Sequence, residues 1–217
     1  MRRFLLYVHT GRRAALRAML SVLEELRLRN VRAVVVDEQV EEILALPEDM
    51  APPKLITFLT NGAVDVRAAV SAADVVELGI VLGGDGTILR ALEAVREADI
   101  PVHGVNLGHV GFLAESEVED LSITVARLLD GDYDIEKRST LDITVLDSED
   151  ELVDHHWALN EASLEKADRQ KMINVAIEID GRPVSSFGAD GVLLSTSTGS
   201  TAYAFSAGGP VIWPEVD

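Results

Sequence analysis

The apolar and polar positions of this chain follow two different rhythms, and the change falls near Gly131. Before it, short apolar runs alternate with helical patterns. Phe4 to Val8 reads as a strand that stops at His9-Thr10-Gly11-Arg12-Arg13. A helical pattern follows from about Ala14 to Leu28, with Leu16, Met19, Leu20, Leu23 and Leu26 on one face. Val31 to Val36 is a second strand, so the chain opens as a βαβ unit with a parallel sheet. Residues 38–66 are less regular. Glu41 to Leu46 suits a short helix, Ala51-Pro52-Pro53 breaks any element, and Leu55 to Leu59 reads as strand or loop. Leu78 to Leu82 is a buried parallel strand, and a helix is expected over roughly Thr87 to Arg96. Ile100 to Val105 is another strand. Val118 to Leu129 is an amphipathic helix with Leu121, Val125 and Leu128 inward.

From Asp134 onward the rhythm is that of strands: Leu141 to Leu146, Val153 to Leu159, Met172 to Ile179, Arg182 to Phe187 and Gly191 to Thr196. Turn residues separate them at Ser148-Glu149-Asp150-Glu151 and at Asp180-Gly181, the latter a type I′ hairpin signal. The expected fold is thus an α/β N-terminal domain with a parallel, Rossmann-like sheet over residues 1–133. An all-β antiparallel domain of sandwich type follows over 134–217.

Composition narrows the partners. The chain has 217 residues and a net charge of −18, from 19 basic and 37 acidic side chains. That excess of acid argues against nucleic acid or an anionic membrane surface. Anionic small molecules stay open, since backbone N–H groups, a few cations and Mg²⁺ neutralise phosphates locally. There is no cysteine, which excludes disulfides, zinc thiolates and thiol nucleophiles. The apolar run after Arg2-Arg3 is too short for a signal peptide, and no segment approaches a membrane span. A cytoplasmic protein is expected.

The candidate chemistry centres on Gly83-Gly84-Asp85-Gly86-Thr87, directly after the buried strand. Three glycines bare the backbone N–H groups, and the helix that follows aims its positive end at the same turn. Asp85 places one carboxylate in this anion-friendly corner. As a proton acceptor in phosphoryl transfer that position makes sense; as an N-cap in a plain strand–turn–helix corner it also makes sense. The pattern matches neither G-x-G-x-x-G nor G-x-x-x-x-G-K-[ST]. The turn after the first strand lies at the same sheet edge, so His9, Thr10 and Arg12 either face the crevice of Asp85 or form a solvated loop.

Three more clusters carry polar chemistry. Asn106-Leu107-Gly108-His109-Val110-Gly111-Phe112-Leu113 forms a second glycine-bearing loop, with Phe112 either a wall for a flat ligand or a core residue. Asn160-Glu161 offers donors beside acceptors, as a ribose or a base edge requires. Ser195-Thr196-Ser197-Thr198-Gly199-Ser200-Thr201 is a run of hydroxyls before a helix expected to end at Gly208. A helix cap accounts for one or two of those hydroxyls; the run suits nucleotide contacts, with Tyr203 for stacking. Asp190, between Gly188-Ala189 and Gly191, reads alone as a turn residue.

Together these clusters resemble the NAD kinases over most of the chain, from the first strand to Pro210. The Gly-Gly-Asp-Gly-Thr turn is shared with lipid kinases and nearly with 6-phosphofructokinases. The run Thr198-Gly199-Ser200-Thr201-Ala202-Tyr203 together with Asn160-Glu161, in that family's order, is the more specific sign. Val8-His9-Thr10-Gly11-Arg12 and Tyr203 to Pro210 are similar to actinobacterial members. The resemblance implies transfer of a phosphoryl group from ATP, or from inorganic polyphosphate, to the adenosine ribose 2′-hydroxyl of NAD, in an active site between the two domains. It makes Asp85 the catalytic residue. It implies nucleotide contacts at Gly83, Gly84, Gly86, Thr87, Arg90, Phe112, Asn160, Glu161, Asp190, Thr198, Thr201, Ala202, Tyr203 and Ser206. Asn160 and Glu161 would meet the adenosine and Asp190 the nicotinamide amide. Mg²⁺ or another divalent cation comes with ATP, no protein metal ligands are assigned, and a homo-oligomer (dimer or tetramer) is expected.

Two departures stand out. Ser197 replaces a proline usual in the family. The family pattern continues past Gly208-Gly209-Pro210 with further strands, so the second domain is expected to be truncated in this chain. Two competing functions remain at this level: a lipid- or sugar-type kinase sharing the glycine turn, and an inactive NAD(P)-binding fragment.

Overall fold

A computed structural model describes residues 1–217 apart from 108–112, 115, 118–119, 169, 215 and 217. The chain divides into two units, Met1–Ile135 and Glu136–Asp217. In the first, six parallel strands stand in the order β3-β2-β1-β4-β5-β6. They are β1 (Arg3–Val8), β2 (Arg32–Val36), β3 (Asp65–Arg67), β4 (Leu78–Leu82), β5 (Val102–Asn106) and β6 (Ser116–Glu117). The helices are α1 (Arg13–Leu28), α2 (Asp37–Leu44), α3 (Pro53–Thr60), α4 (Asp85–Val95) and α5 (Leu121–Asp130). All five residues of β4 are buried, as a strand covered on both faces demands.

Alternation along β1 divides the core between the two faces. Phe4, Leu6 and Val8 join Leu16, Met19 and Leu26 of α1, Leu55 of α3 and Val125 and Leu128 of α5. Leu5 turns the other way, toward Val34, Val36, Val95 and Ile100. Val81 on that second face packs with Ile88 and Ala91 of α4. The chain walks outward from β1 through β2 to β3, then returns to place β4 on the other side of β1. The carboxyl ends of β1 and β4 therefore form the crevice where open α/β sheets receive ligands.

One polar side chain completes the pairing at the end of β1. β1 registers with β2 only from Arg3 to Leu5. Farther on, the buried amide of Gln39 takes over: Val8 N–H donates to Gln39 Oε1 at 2.9 Å, and Gln39 Nε2 donates to Val8 O at 2.6 Å. The first turn of α2 thus substitutes for a missing strand partner.

The second unit pairs its strands antiparallel, as expected, in three two-stranded ladders. β7 (Leu141–Leu146) pairs with β8 (Leu152–Ala158), β9 (Glu161–Glu165) with β12 (Gly191–Ser195), and β10 (Ile173–Ile179) with β11 (Arg182–Ala189). Asp180 and Gly181 both have positive φ, 52° and 70°, which is the type I′ geometry expected for that hairpin.

Several elements differ from the sequence reading. Residues 55–59 lie inside helix α3, started by Pro53 at its first turn, not in a strand or loop. β3, β6 and β9 have no counterpart in the sequence pattern. α5 begins at Leu121; Val118, where the helix is expected to start, lies outside the described residues. The helix expected from residue 200 to 208 is a 3₁₀ turn, Thr198–Thr201, followed by the single turn α6 (Tyr203–Ser206).

Candidate functional site

In the first unit the glycine turn is built by close approach. A Cβ on Gly83 would lie 2.5 Å from Thr87 Oγ1 and 2.6 Å from Thr87 Cβ, and Thr87 is buried. Glycine is therefore required there for α4 to start so near β4. Gly84 caps the helix in extended geometry, and its carbonyl accepts the N–H groups of Thr87 (2.8 Å) and Ile88 (3.1 Å). Gly86 is exposed, with open space where a Cβ would stand. Asp85 is the first residue of α4 and half-buried. Its Oδ1 accepts the backbone N–H of Leu113 at 3.1 Å, so the loop after β5 reaches back to the carboxylate. The two glycine-bearing loops singled out in the sequence meet at this bond. Phe112, with Gly108, His109, Val110 and Gly111, lies outside the described residues.

Beside the turn, β1 is held to β4 by the His9 N–H donating to Leu82 O at 2.9 Å. His9 Nδ1 is buried without a partner. Thr10 Oγ1 donates to Glu42 Oε2 at 2.7 Å, while Arg12 is exposed. A pocket of about 340 Å³ opens over the carboxyl ends of β1, β2 and β3 and is lined by Tyr7, Thr10, Glu38, Glu42, Ala69 and Arg90. Arg90 therefore serves this pocket, one helical turn or more along α4 from the glycine corner. Burial pushes the Tyr7 phenol up, and the nearby Arg90 charge opposes that shift.

In the second unit the start of β9, the end of β12 and the 3₁₀ turn come together. Thr196 N–H donates to Asn160 O at 2.9 Å, and Ser195 Oγ and Thr196 Oγ1 also donate to that carbonyl. A Cβ on Gly199 would stand only 1.9 Å from Asn160 O, which makes glycine obligatory at that crossing. The Glu161 carboxylate is raised in pKa by burial, partly offset by the Tyr203 backbone N–H that it accepts. Asn160 Oδ1, Glu161 Oε2 and Thr198 Oγ1 are all buried without a partner. Three such atoms in one small cluster are uncommon and mark a place where a ligand would complete the hydrogen bonding.

The hydroxyl run also has a structural role. Thr196 Oγ1 donates to Leu159 O, Ser197 Oγ to Pro214 O, Ser200 Oγ to Ser197 O and Thr201 Oγ1 to Thr198 O. Ser200 Oγ also receives the Ile212 N–H at 2.9 Å. Most of the run thus satisfies the chain's own backbone, leaving Thr198 as the member with an unpaired hydroxyl. Ala202 precedes α6, Tyr203 is half-exposed and Ser206 exposed. Asp190 is elsewhere on this unit. The ladder pairs Ser195 with Glu161 at one end and Gly191 with Glu165 at the other, a span of roughly 13 Å. Asp190 sits at the second end, exposed, with its Oδ1 2.6 Å from Lys166 Nζ.

Sequence reasoning missed Leu113, Gln39 and Tyr7. Leu113 acts through its backbone and Gln39, from α2, on the backbone of β1, for which no residue-type signal exists; Tyr7 resembles any strand aromatic. Among the described residues no three His, Asp or Glu side chains converge as a metal site, and no helix is long and apolar enough to cross a membrane.

Comparison with known proteins gives two family matches. Residues 4–133 match the ATP-NAD kinase N-terminal domain and residues 159–217 the ATP-NAD kinase C-terminal domain. An NAD kinase of Leifsonia xyli is 53% identical over 215 residues, which is 99% of this chain and 67% of that protein. The yeast NADH kinase, solved with NADH, superposes with a TM-score of 0.76 at 24% identity, over 99% of this chain and 63% of that one. An NAD kinase from Archaeoglobus fulgidus, solved with ATP, gives a TM-score of 0.60 at 25% identity, over 100% and 69%. The matched part of the chain spans between 44% and 69% of the length of these curated relatives.

Proposed function

We propose, since the chain belongs to the ATP-NAD kinase family, that it serves the transfer of the ATP γ-phosphoryl group to the adenosine ribose 2′-hydroxyl of NAD, giving NADP and ADP. In this step the O2′–P bond forms, the bond from the γ-phosphorus to the β-bridging oxygen breaks, and Asp85 takes the hydroxyl proton. The observation that carries the reading is the Asp85 carboxylate, fixed at the start of α4 within the glycine turn by the Leu113 N–H. A carboxylate among anion-binding N–H groups would be a poor phosphate ligand and is a good acceptor for a proton.

The unpaired Asn160 Oδ1, Glu161 Oε2 and Thr198 Oγ1 support an adenosine subsite for NAD on the second unit, with Thr201, Ala202, Tyr203 and Ser206 around it. Asp190, in its ion pair with Lys166, is assigned to the nicotinamide amide. Gly83, Gly84, Gly86 and Thr87 shape the corner for the transferred phosphate, and Phe112 belongs to the NAD set. The pocket of Tyr7, Glu38 and Arg90 is assigned to the nucleoside of the donor, because it opens at the carboxyl end of β1, next to the crevice where the strand order reverses. A Mg²⁺ ion carried in on the donor phosphates would neutralise their charge. Polyphosphate as an alternative donor, a cytoplasmic location and a dimer or tetramer complete the proposal.

The test is NADP formation from NAD, ATP and Mg²⁺ by the parent and by Asp85→Asn. The variant should lose on the order of 10² to 10⁴ in rate while keeping its fold. Parent-like turnover in the variant removes Asp85 from the chemistry. NAD binding without any product, or phosphorylation of a lipid or sugar in its place, overturns the reading as a whole.

A further inference from the structure

The link between Asp85 and Leu113 depends on a residue that takes no part in their hydrogen bond. Gly104 lies on β5, paired with Val81 of β4. A Cβ at Gly104 would fall 2.5 Å from Ile88 Cδ1, 3.2 Å from Ile88 Cγ1 and 3.3 Å from Ala114 Cα. Its φ is not positive, so this glycine is there for space and not for conformation. Into that space come the buried side chain of Ile88, from the first turn of α4, and the backbone of Ala114, from the returning loop. Leu113 and Ala114 pack against the same small core of Val81, Ile88 and Ala91. One residue before Ala114, the Leu113 N–H meets Asp85 Oδ1 at 3.1 Å. α4 therefore presents Asp85 at its start and Ile88 one turn later, and the loop touches both.

We propose that Gly104, Ile88 and Leu113 form a positioning device for the phosphoryl-transfer carboxylate. The missing Cβ at Gly104 lets Ile88 and Ala114 seat the loop, and the seated loop aims the Leu113 N–H at Asp85. The proposal rests on Asp85 as the proton acceptor. Gly104 and Leu113 are positioning residues and touch no substrate in this scheme. A hydrogen bond to a charged group helps fix the rotamer of the carboxylate. Close packing transmits a displacement of about one methyl group, because interiors hold few voids to absorb it.

The experiment uses the full chain and four variants. In ¹H–¹⁵N spectra the Leu113 amide proton should move upfield in Asp85→Ala, which removes its acceptor. Gly104→Ala should produce a similar upfield move and lower kcat about tenfold, the rate equivalent of a lost charge-assisted hydrogen bond, with the KM for NAD within about twofold of the parent. Ile88→Val removes the Cδ1 atom that the new methyl group would strike, so Gly104→Ala/Ile88→Val should restore both the resonance and kcat toward the parent. An ester linkage in place of the Leu113 amide deletes the donor without adding bulk, and should lower kcat in the same way if Gly104→Ala fails to fold. A Leu113 resonance indifferent to Asp85→Ala overturns the proposal. So does parent-like kcat in a folded Gly104→Ala or in the ester variant, or a loss that the double variant leaves untouched. If no variant and no parent forms NADP, the kinase reading fails, while the Leu113 resonance still decides whether this device holds Asp85.

Discussion

The Glu161 carboxylate accepts the backbone N–H of Tyr203, while its Oε2 is buried without a partner. The first contact ties the start of β9 to the start of α6. The second leaves one carboxylate oxygen out of water and unpaired, which disfavours the ionised form. Burial is the larger influence, so the folded-state pKa stands above the ordinary value of 4.5.

That shift has a sign for stability. A raised folded pKa contributes stability that is fully present below the unfolded value and is lost as pH rises through the folded value. Glu161 should therefore weaken the second unit as pH climbs from the ordinary carboxyl range upward. Glu161→Gln carries no charge to desolvate and should remove this contribution. Urea unfolding of parent and variant is compared from pH 4 to pH 8. The stability difference should move in favour of the parent at low pH and in favour of the variant at high pH. A difference independent of pH sinks the argument. Other carboxylates titrate in the opposite direction, Asp154 and Glu77 being lowered by their hydrogen bonds, which is why the difference is read and not the parent curve alone.

Gly199→Ala tests the crossing of the 3₁₀ turn over β9. The new methyl group would meet Asn160 O at 1.9 Å and Asn160 C at 2.3 Å. Both are backbone atoms, so no rotamer change relieves the clash. The variant should lose about 3 kcal/mol or more of stability in the second unit, at or beyond the upper end of ordinary overpacking. NAD binding by calorimetry should disappear with it, because the same shift moves Asn160 and Glu161. A folded variant that binds NAD as the parent does would show that the crossing tolerates a side chain.

Much of this organisation can be read in the sequence, and the failures have physical causes. β4 and the glycine corner are legible because an all-apolar run and three glycines have few other uses. The I′ hairpin at Asp180-Gly181 is legible because two consecutive positive φ angles demand such residues. Residues 55–59 mislead because Leu-Ile-Thr-Phe-Leu has the composition of a strand; packing of Leu55 and Phe58 into the α1 face makes it a helix. β9 has the weak strand sequence Glu-Ala-Ser-Leu-Glu and exists through its ladder with β12. The hydroxyl run carries a structural part that its composition does not show. Thr196 and Ser200 bond the backbone around Asn160 and Ile212, so these two members shape the segment beside Asn160.

Gln39 illustrates a contribution invisible to any pattern. Its amide meets both the N–H and the C=O of Val8. Gln39→Leu keeps the volume and leaves two buried backbone groups unpaired, each worth roughly 1 to 3 kcal/mol. Unfolding of the first unit should therefore become easier by about 2 to 6 kcal/mol. The polar groups sit at the end of β1, directly before His9 and the crevice, so ATP binding should weaken as well. A loss below about 1 kcal/mol would mean that water replaces the amide at this position.

The last prediction separates the two substrates. The pocket of Tyr7, Thr10, Glu38, Glu42 and Arg90 lies wholly on the first unit, and the unpaired cluster of Asn160, Glu161 and Thr198 wholly on the second. If the pocket takes the donor nucleoside, Glu38→Ala and Arg90→Ala should raise the KM for ATP about tenfold, the loss of one hydrogen bond to a charged group, and leave the KM for NAD unchanged. Asn160→Ala should do the reverse. The two charged groups also differ in what they can recognise. Glu38 can accept from ribose hydroxyls or an exocyclic amine, whereas Arg90 can meet only an acceptor such as a phosphate oxygen. Replacing ATP by inorganic polyphosphate, which has no nucleoside, should thus erase the effect of Glu38→Ala and preserve part of that of Arg90→Ala. Equal effects of both substitutions on ATP and NAD, or none on either, would remove the pocket from donor recognition.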